Sequence, residues 1–303
     1  MYHAASLFPA LRRIRLPLSR DQLMLLMAAI NEIFLGIDTY LAHSISGTIR
    51  PNEWIPIIFG PVAGALLLVA GLIAMRRRML ANVIATLTLT ASIVVGLLGA
   101  YFHLVRAILP YGPAGQQVTI PLLVWAPPIL GPLTFALVGL LGISAAWIEE
   151  PPDSGRLRLA PGRYLCLPYS KTQAYLFLVG LGTLATVISS VLDHARTQFV
   201  NPWLWLPTVI GVFGTVVAVG LGLIDRPTRS DLWVYVAAMG LLILVGVVGA
   251  VLHVLDNLMM GGSAIVPERF IRGAPFLAPL LFSNMGALGL IALLDPRERQ
   301  VGD

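Results

Sequence analysis

Four histidines dominate the chemistry that this chain can place among apolar residues: His43, His103, His194 and His253. A fifth, His3, lies in the N-terminal tail and is given no role. Sixty residues separate His43 from His103, and 59 separate His194 from His253. Imidazole binds a metal through one ring nitrogen while a hydrogen bond to the other fixes its orientation. Two imidazoles facing one another across a helical core can therefore hold a haem iron from opposite sides. With the nearby acids Asp38, Glu53, Asp193 and Asp256, the same residues offer copper or another transition metal an alternative site. Gly99 and Gly96 stand four and seven positions before His103, and Gly249 and Gly246 stand likewise before His253. On a helix these share the face of the histidine, and they read as a groove for a flat macrocycle. Arg106 and Arg196 follow closely after His103 and His194, where a guanidinium can pair with a haem propionate. Glu32, eleven residues before His43, is a carboxyl deep in an apolar run and a candidate proton relay.

The elements that must carry these residues are helices in a membrane. Of 303 residues, 57% are hydrophobic and 12% charged. Soluble domains carry about 25% charged residues, so half the usual charge is left to coat a surface. Eight apolar runs, near 22–43, 54–75, 81–105, 121–147, 172–194, 203–224, 231–255 and 274–294, match the ~20 residues of a transmembrane helix. With the N-terminus in the cytoplasm, Arg50, Arg106, Arg196, Arg269 and Arg272 fall outside, and the other fifteen of the twenty basic residues fall inside. That bias predicts eight spans with both termini cytoplasmic, as in a bacterial cytoplasmic membrane, and all four membrane histidines towards the outer face. The net charge of +5 is thereby a topology signal, and no nucleic-acid partner is expected. The single cysteine, Cys166, excludes an internal disulfide.

The halves repeat. Leu16-Pro17-Leu18-Ser19-Arg20-Asp21-Gln22 returns as Leu167-Pro168-Tyr169-Ser170-Lys171-Thr172-Gln173. Trp54-Ile55-Pro56 returns as Trp205-Leu206-Pro207, and Val95 to His103 as Val245 to His253. The fourth and eighth runs share Pro132-Leu133 and Pro279-Leu280, each followed by Phe, Gly and Gly at matching spacing. The expected fold is all-α: a tandem parallel duplication of a four-helix bundle, with units 1–150 and 172–303 joined by a cytoplasmic linker, 151–171. In an up-down bundle the first and third helices are diagonal, which sets His43 opposite His103 and His194 opposite His253. Thr183 stands where the first unit has Glu32, so the units differ there.

A duplicated four-helix unit with His43, His103, His194 and His253 resembles the tandem haem-binding membrane proteins, the b-type cytochromes and haem A synthases. The resemblance implies two haem b groups, one bis-His site per unit. It also implies electron exchange with quinol or an extracytoplasmic partner, alone or beside other subunits of a respiratory complex. Haem A synthases carry their histidines on even-numbered spans, so haem ligation alone is carried over. The alternatives are a transporter or channel working through Glu32, or a structural subunit of a larger membrane complex.

Overall fold

The computed structural model describes residues 4, 7, 17–45, 47–112, 115, 119–160, 162–259 and 266–294. His3, Arg12, Arg13, Arg15, Arg297 and Arg299 lie outside the described residues.

Helix α1 (Arg20–Ser44) starts where a serine can satisfy its free amides. The Ser19 hydroxyl accepts from the Gln22 amide at 3.3 Å, and the Gln22 side chain accepts from the Ser19 amide at 2.8 Å. This reciprocal box is a strong helix start. Ser170 and Gln173 repeat it at α6 (Lys171–Ala195), with distances of 3.2 and 2.9 Å. Together with α2 (Trp54–Ala74), α3 (Arg78–His103), α7 (Trp205–Leu223) and α8 (Arg229–Met259), these make, among the described residues, six helices long and apolar enough to cross a membrane.

The other two expected spans are shorter. Residues 120–146 divide into α4 (Ile120–Trp125) and α5 (Leu130–Ala146) around Pro127 and Pro128. A one-turn helix, α9 (Arg269–Arg272), and turns through Pro275 and Pro279 precede α10 (Leu280–Ala292). Proline lacks the amide hydrogen and its ring collides with the preceding turn, so a helix cannot run through such clusters unbroken. At 1.5 Å per residue α5 spans about 25 Å and α10 about 20 Å, short of the ~30 Å hydrocarbon core.

The helices pack as two rings of four. In the first, α1 meets α2, α2 meets α3, α3 meets α5, and α5 returns to α1. In the second, α6, α7, α8 and α10 repeat that order. Helices α1 and α3 are therefore diagonal, as are α6 and α8. Glycine allows the close approaches. A Cβ on Gly60 would run into the Glu32 carbonyl and the Gly36 backbone, and the Pro61 ring fills the notch over Gly36. Such small-residue seams let membrane helices gain dispersion contacts.

The rings join through α5 against α6 and α1 against α10. Buried Met24, Leu141 and Ala145 pack there with Tyr175, Leu176 and Met285 of the second ring. At the end where α1 and α6 begin, the junction is ionic. Lys171 Nζ donates to Asp21 at 2.5 Å, and Arg20 Nη1 donates to Thr172 Oγ1 at 2.7 Å. Each basic residue thus bonds to the neighbour of the other, across an offset of 151 residues.

Between the rings the chain folds into a three-stranded antiparallel sheet, where the sequence shows only a linker. Strands β1 (Ile148–Glu149), β2 (Arg156–Ala160) and β3 (Arg163–Cys166) lie in the order β1-β2-β3. Leu157 pairs with Glu149 on one side and Leu165 on the other. Buried Glu149 anchors this sheet to α6 by accepting from the amides of Asp153, Gly155 and Lys171 at 3.0, 2.7 and 2.9 Å. Strands of two to five residues are too short to announce themselves by alternation.

Candidate metal centre

Helices α1 and α3 end beside one another at His43 and His103. The two imidazole rings meet across the ring diagonal with centroids 6.2 Å apart and planes inclined by 64°. Both side chains are half-buried. Each ring is oriented by main chain: His43 Nδ1 lies 2.8 Å from the Thr39 carbonyl, and His103 Nδ1 lies 2.8 Å from the Pro128 carbonyl. A carbonyl only accepts, so both Nδ1 atoms carry hydrogen, and in the neutral rings Nε2 is left as the lone-pair nitrogen. This is the tautomer a metal-binding histidine needs. The Pro128 carbonyl is available because Pro127 and Pro128 break the helix there and leave a backbone acceptor without an intrahelical partner.

The second pair is built differently. His253 Nδ1 lies 3.0 Å from the Pro275 carbonyl, matching His103 and Pro128. One turn further on, Asn257 clasps the same loop: its Nδ2 donates to the Ala274 carbonyl at 2.8 Å, and its Oδ1 accepts from the Ala274 amide at 2.9 Å. His194, however, turns its ring edge to Phe199, with centroids 6.1 Å apart, and Phe199 stacks on Trp205 at 4.2 Å. Its Nδ1 is 3.5 Å from the Ser190 hydroxyl. Gln198 and Phe199 both adopt left-handed backbone, with φ of 55° and 50°, which swings the Phe199 ring onto the histidine.

No family model, curated protein or solved structure matches this chain.

The glycine faces beside the histidines are occupied by helix. A Cβ on Gly96 would stand 2.6 Å from the Ala136 amide nitrogen and 2.9 Å from the Pro132 carbonyl, and one on Gly99 would stand 2.7 Å from the Pro132 side chain. Gly246 lies against Pro279 and Ser283, and Gly249 against Pro279. These stripes are seams with α5 and α10, in the manner of close-packed membrane helices. The arginines also have protein partners. Arg106 donates to Asn52 at 2.9 Å and covers the Phe102 ring at 4.8 Å. Arg196 donates to the Val124 carbonyl at 2.8 Å and pairs with Asp193 at 3.6 Å. Among the described residues, no group of three or more His, Cys, Asp and Glu side chains is arranged to hold a metal ion.

Glu32 is fully buried at the middle of α1. Its Oε1 is 2.5 Å from the Ser92 hydroxyl of α3, which is also 2.8 Å from the Phe135 carbonyl of α5. Sequence reasoning found Glu32 but missed Ser92, Asn257 and the two proline carbonyls. A signal for the first two was present: Ser92 precedes His103 by eleven residues, as Glu32 precedes His43, and Asn257 follows His253 by four. Nothing in the sequence identifies a particular carbonyl as an acceptor.

Proposed function

We propose that this chain is an integral membrane redox protein in which His43 and His103 hold a b-type haem from opposite sides. The observation that carries this reading is the ring pair itself. A metal–imidazole bond of about 2 Å, plus roughly 1 Å from nitrogen to ring centre, sets two axial imidazoles about 6 Å apart, centre to centre. The His43–His103 separation of 6.2 Å fits that distance. The donor set fits as well. Two imidazoles suit an iron whose other four ligands come from a macrocycle.

When bound, haem supplies one-electron exchange. The chain's own part is positional. Thr39 and Pro128 fix both imidazoles in one tautomer and leave Nε2 as the ligating atom. Apolar α2 and α5, which carry no charged residue, exclude water from the ring interior below them. The same reading extends to His194 and His253 of the second unit, where the His253–Pro275 contact supports it and His194 would have to turn from Phe199 to ligate. Quinol or an extracytoplasmic carrier is the proposed electron partner, and further respiratory subunits are proposed neighbours.

The eight-span, tandem-duplicated architecture belongs to the same proposal. Its support is the matched capping boxes, the two rings in the same order, and the reciprocal Arg20–Thr172 and Lys171–Asp21 bonds. Reciprocal contacts of this kind are the mark of a two-fold interface. The distribution of basic residues supports cytoplasmic termini with the histidines outside.

The test is an absorption spectrum of the full chain purified with haem supplied. The wild type is expected to show a Soret band and the reduced spectrum of a six-coordinate, low-spin haem. His43→Ala and His103→Ala are each expected to lose the first unit's share of that low-spin signature, and His253→Ala to keep that share. A wild-type chain with no Soret band after reconstitution refutes the reading.

A further inference from the structure

We propose that Glu32, held by Ser92, is a proton-binding site at the centre of the first ring, and that it exchanges its proton in step with charge at His43 and His103. The coupling rests on the redox reading above; the proton site does not.

The Ser92 hydroxyl is within bonding distance of two acceptors, Glu32 Oε1 at 2.5 Å and the Phe135 carbonyl at 2.8 Å. A hydroxyl carries one hydrogen, and an ionised carboxylate carries none. Both contacts are satisfied when Glu32 is a neutral acid. Its Oε1–H then donates to Ser92, and the Ser92 hydroxyl donates to Phe135. Glu32 Oε2 is buried with no partner. In the neutral acid that atom is an unpaired carbonyl-type oxygen; in the carboxylate it would be an unpaired charge, which is far more costly to bury.

Among the described residues, Glu32 Oε2 has no partner to compensate a negative charge. Helices α2, α5 and α10, all packed on α1, contain no charged residue. Helix α3 has Arg78 and His103 only, at its two ends. On α1 the nearest ionisable side chains are Asp38, six residues on, and Asp21, eleven residues back. Helix α9, which also meets α1, carries Arg269 and Arg272, and Arg272 is paired with Glu268 at 3.3 Å. An isolated ionisable group of this kind inside a membrane is retained for function more often than for packing.

Its placement connects it to the histidines. Eleven residues are three helical turns, about 16 Å, so Glu32 and Ser92 lie below His43 and His103 on the same faces of the two diagonal helices. A unit charge about 16 Å away, at an effective dielectric constant of about 20, alters proton affinity about fivefold. Were haem bound by His43 and His103, it would supply one-electron exchange, and the positive charge left there on oxidation would lower the proton affinity of Glu32. The proton of the Glu32 O–H bond would then pass to bulk water and return from it on reduction, while Ser92 turns its hydrogen onto the carboxylate left behind. The second ring lacks this device: its matching positions are Thr183, which bonds back to Val179 of its own helix, and the buried aliphatic Leu242. The two units therefore do different work.

The experiment uses the full chain in lipid nanodiscs as wild type, Glu32→Gln and Ser92→Ala. Gln keeps the shape and can donate an amide hydrogen to Ser92, so Glu32→Gln is expected to unfold at the wild-type denaturant concentration. Infrared spectra at neutral pH should show a carboxylic-acid C=O band that is lost in Glu32→Gln and shifted in Ser92→Ala. Redox titration should give a midpoint potential that varies with pH in wild type and is flatter in Glu32→Gln. Absence of the acid band in folded wild type, or its survival in Glu32→Gln, overturns the proton site. The band without haem absorption removes the redox reading and leaves the site standing. Equal pH dependence of the potential in wild type and Glu32→Gln overturns the coupling.

Discussion

Replacing Lys171 by Met should unfasten the two rings. The Lys171 ammonium is fully buried and has three hydrogens for three acceptors: Asp21 Oδ2 at 2.5 Å, the Trp147 carbonyl at 2.6 Å and the Ala145 carbonyl at 3.5 Å. Met fills much the same volume but supplies none of these bonds. Asp21 would keep the Tyr175 hydroxyl at 2.9 Å and Arg20 Nε at 3.4 Å. Removing one partner of a buried ion pair costs about 3–5 kcal/mol. The surviving Arg20 contact places the expected loss at the lower end, about 3 kcal/mol. Adding Asp21→Asn should then cost less than in the wild-type background, because the stranded charge is already the main penalty. A coupling of about 1–3 kcal/mol is expected for groups in one network. Equilibrium unfolding of the four proteins of this double-mutant cycle, in mixed micelles, measures both quantities. A Lys171→Met loss below about 1 kcal/mol, or strictly additive changes, would refute the view that this ion pair fastens α6 to α1.

Two further substitutions probe the parts that position the histidines. Gly60→Val places methyl groups against the Glu32 carbonyl and Gly36 backbone, and overpacking of this kind should destabilise the protein by about 1–3 kcal/mol in the same unfolding assay. Asn257→Leu removes both bonds to Ala274 and leaves that half-buried backbone without them. A loss of about 1–3 kcal/mol is expected, with faster amide exchange at Ala274, while the His43–His103 site in the other ring stays intact.

Much of the fold is written in one dimension. The apolar runs at 22–43, 54–75, 81–105, 172–194, 203–224 and 231–255 correspond to six long helices, because hydropathy and length are local properties. The Ser19–Gln22 and Ser170–Gln173 segments are legible as a repeat, and the structure closes each into a capping box of four adjacent residues. The runs at 121–147 and 274–294 show the limit of that logic. Average apolarity ignores where the prolines fall, and Pro127-Pro128 and Pro275 to Pro279 shorten the helices to Leu130–Ala146 and Leu280–Ala292. The sheet at 148–166 was hidden by the brevity of its strands.

The candidate site divides in the same way. Sequence alone determined which residues could carry chemistry, because so few polar side chains interrupt the apolar helices and the four histidines sit at matched helix ends. It also determined that Glu32 and Thr183 differ between the halves. Only the tertiary structure decided that His43 and His103 meet at 6.2 Å while His194 turns to Phe199. It also decided that the glycine faces seat α5 and α10, that Glu32 has Ser92 for its partner, and that Lys171 reaches back 150 residues to Asp21. The reason is geometric. Periodicity gives the face on which a residue lies, but the rotation and depth of each helix come from how all the seams pack together, and a hydrogen bond is made or lost within a few tenths of an ångström.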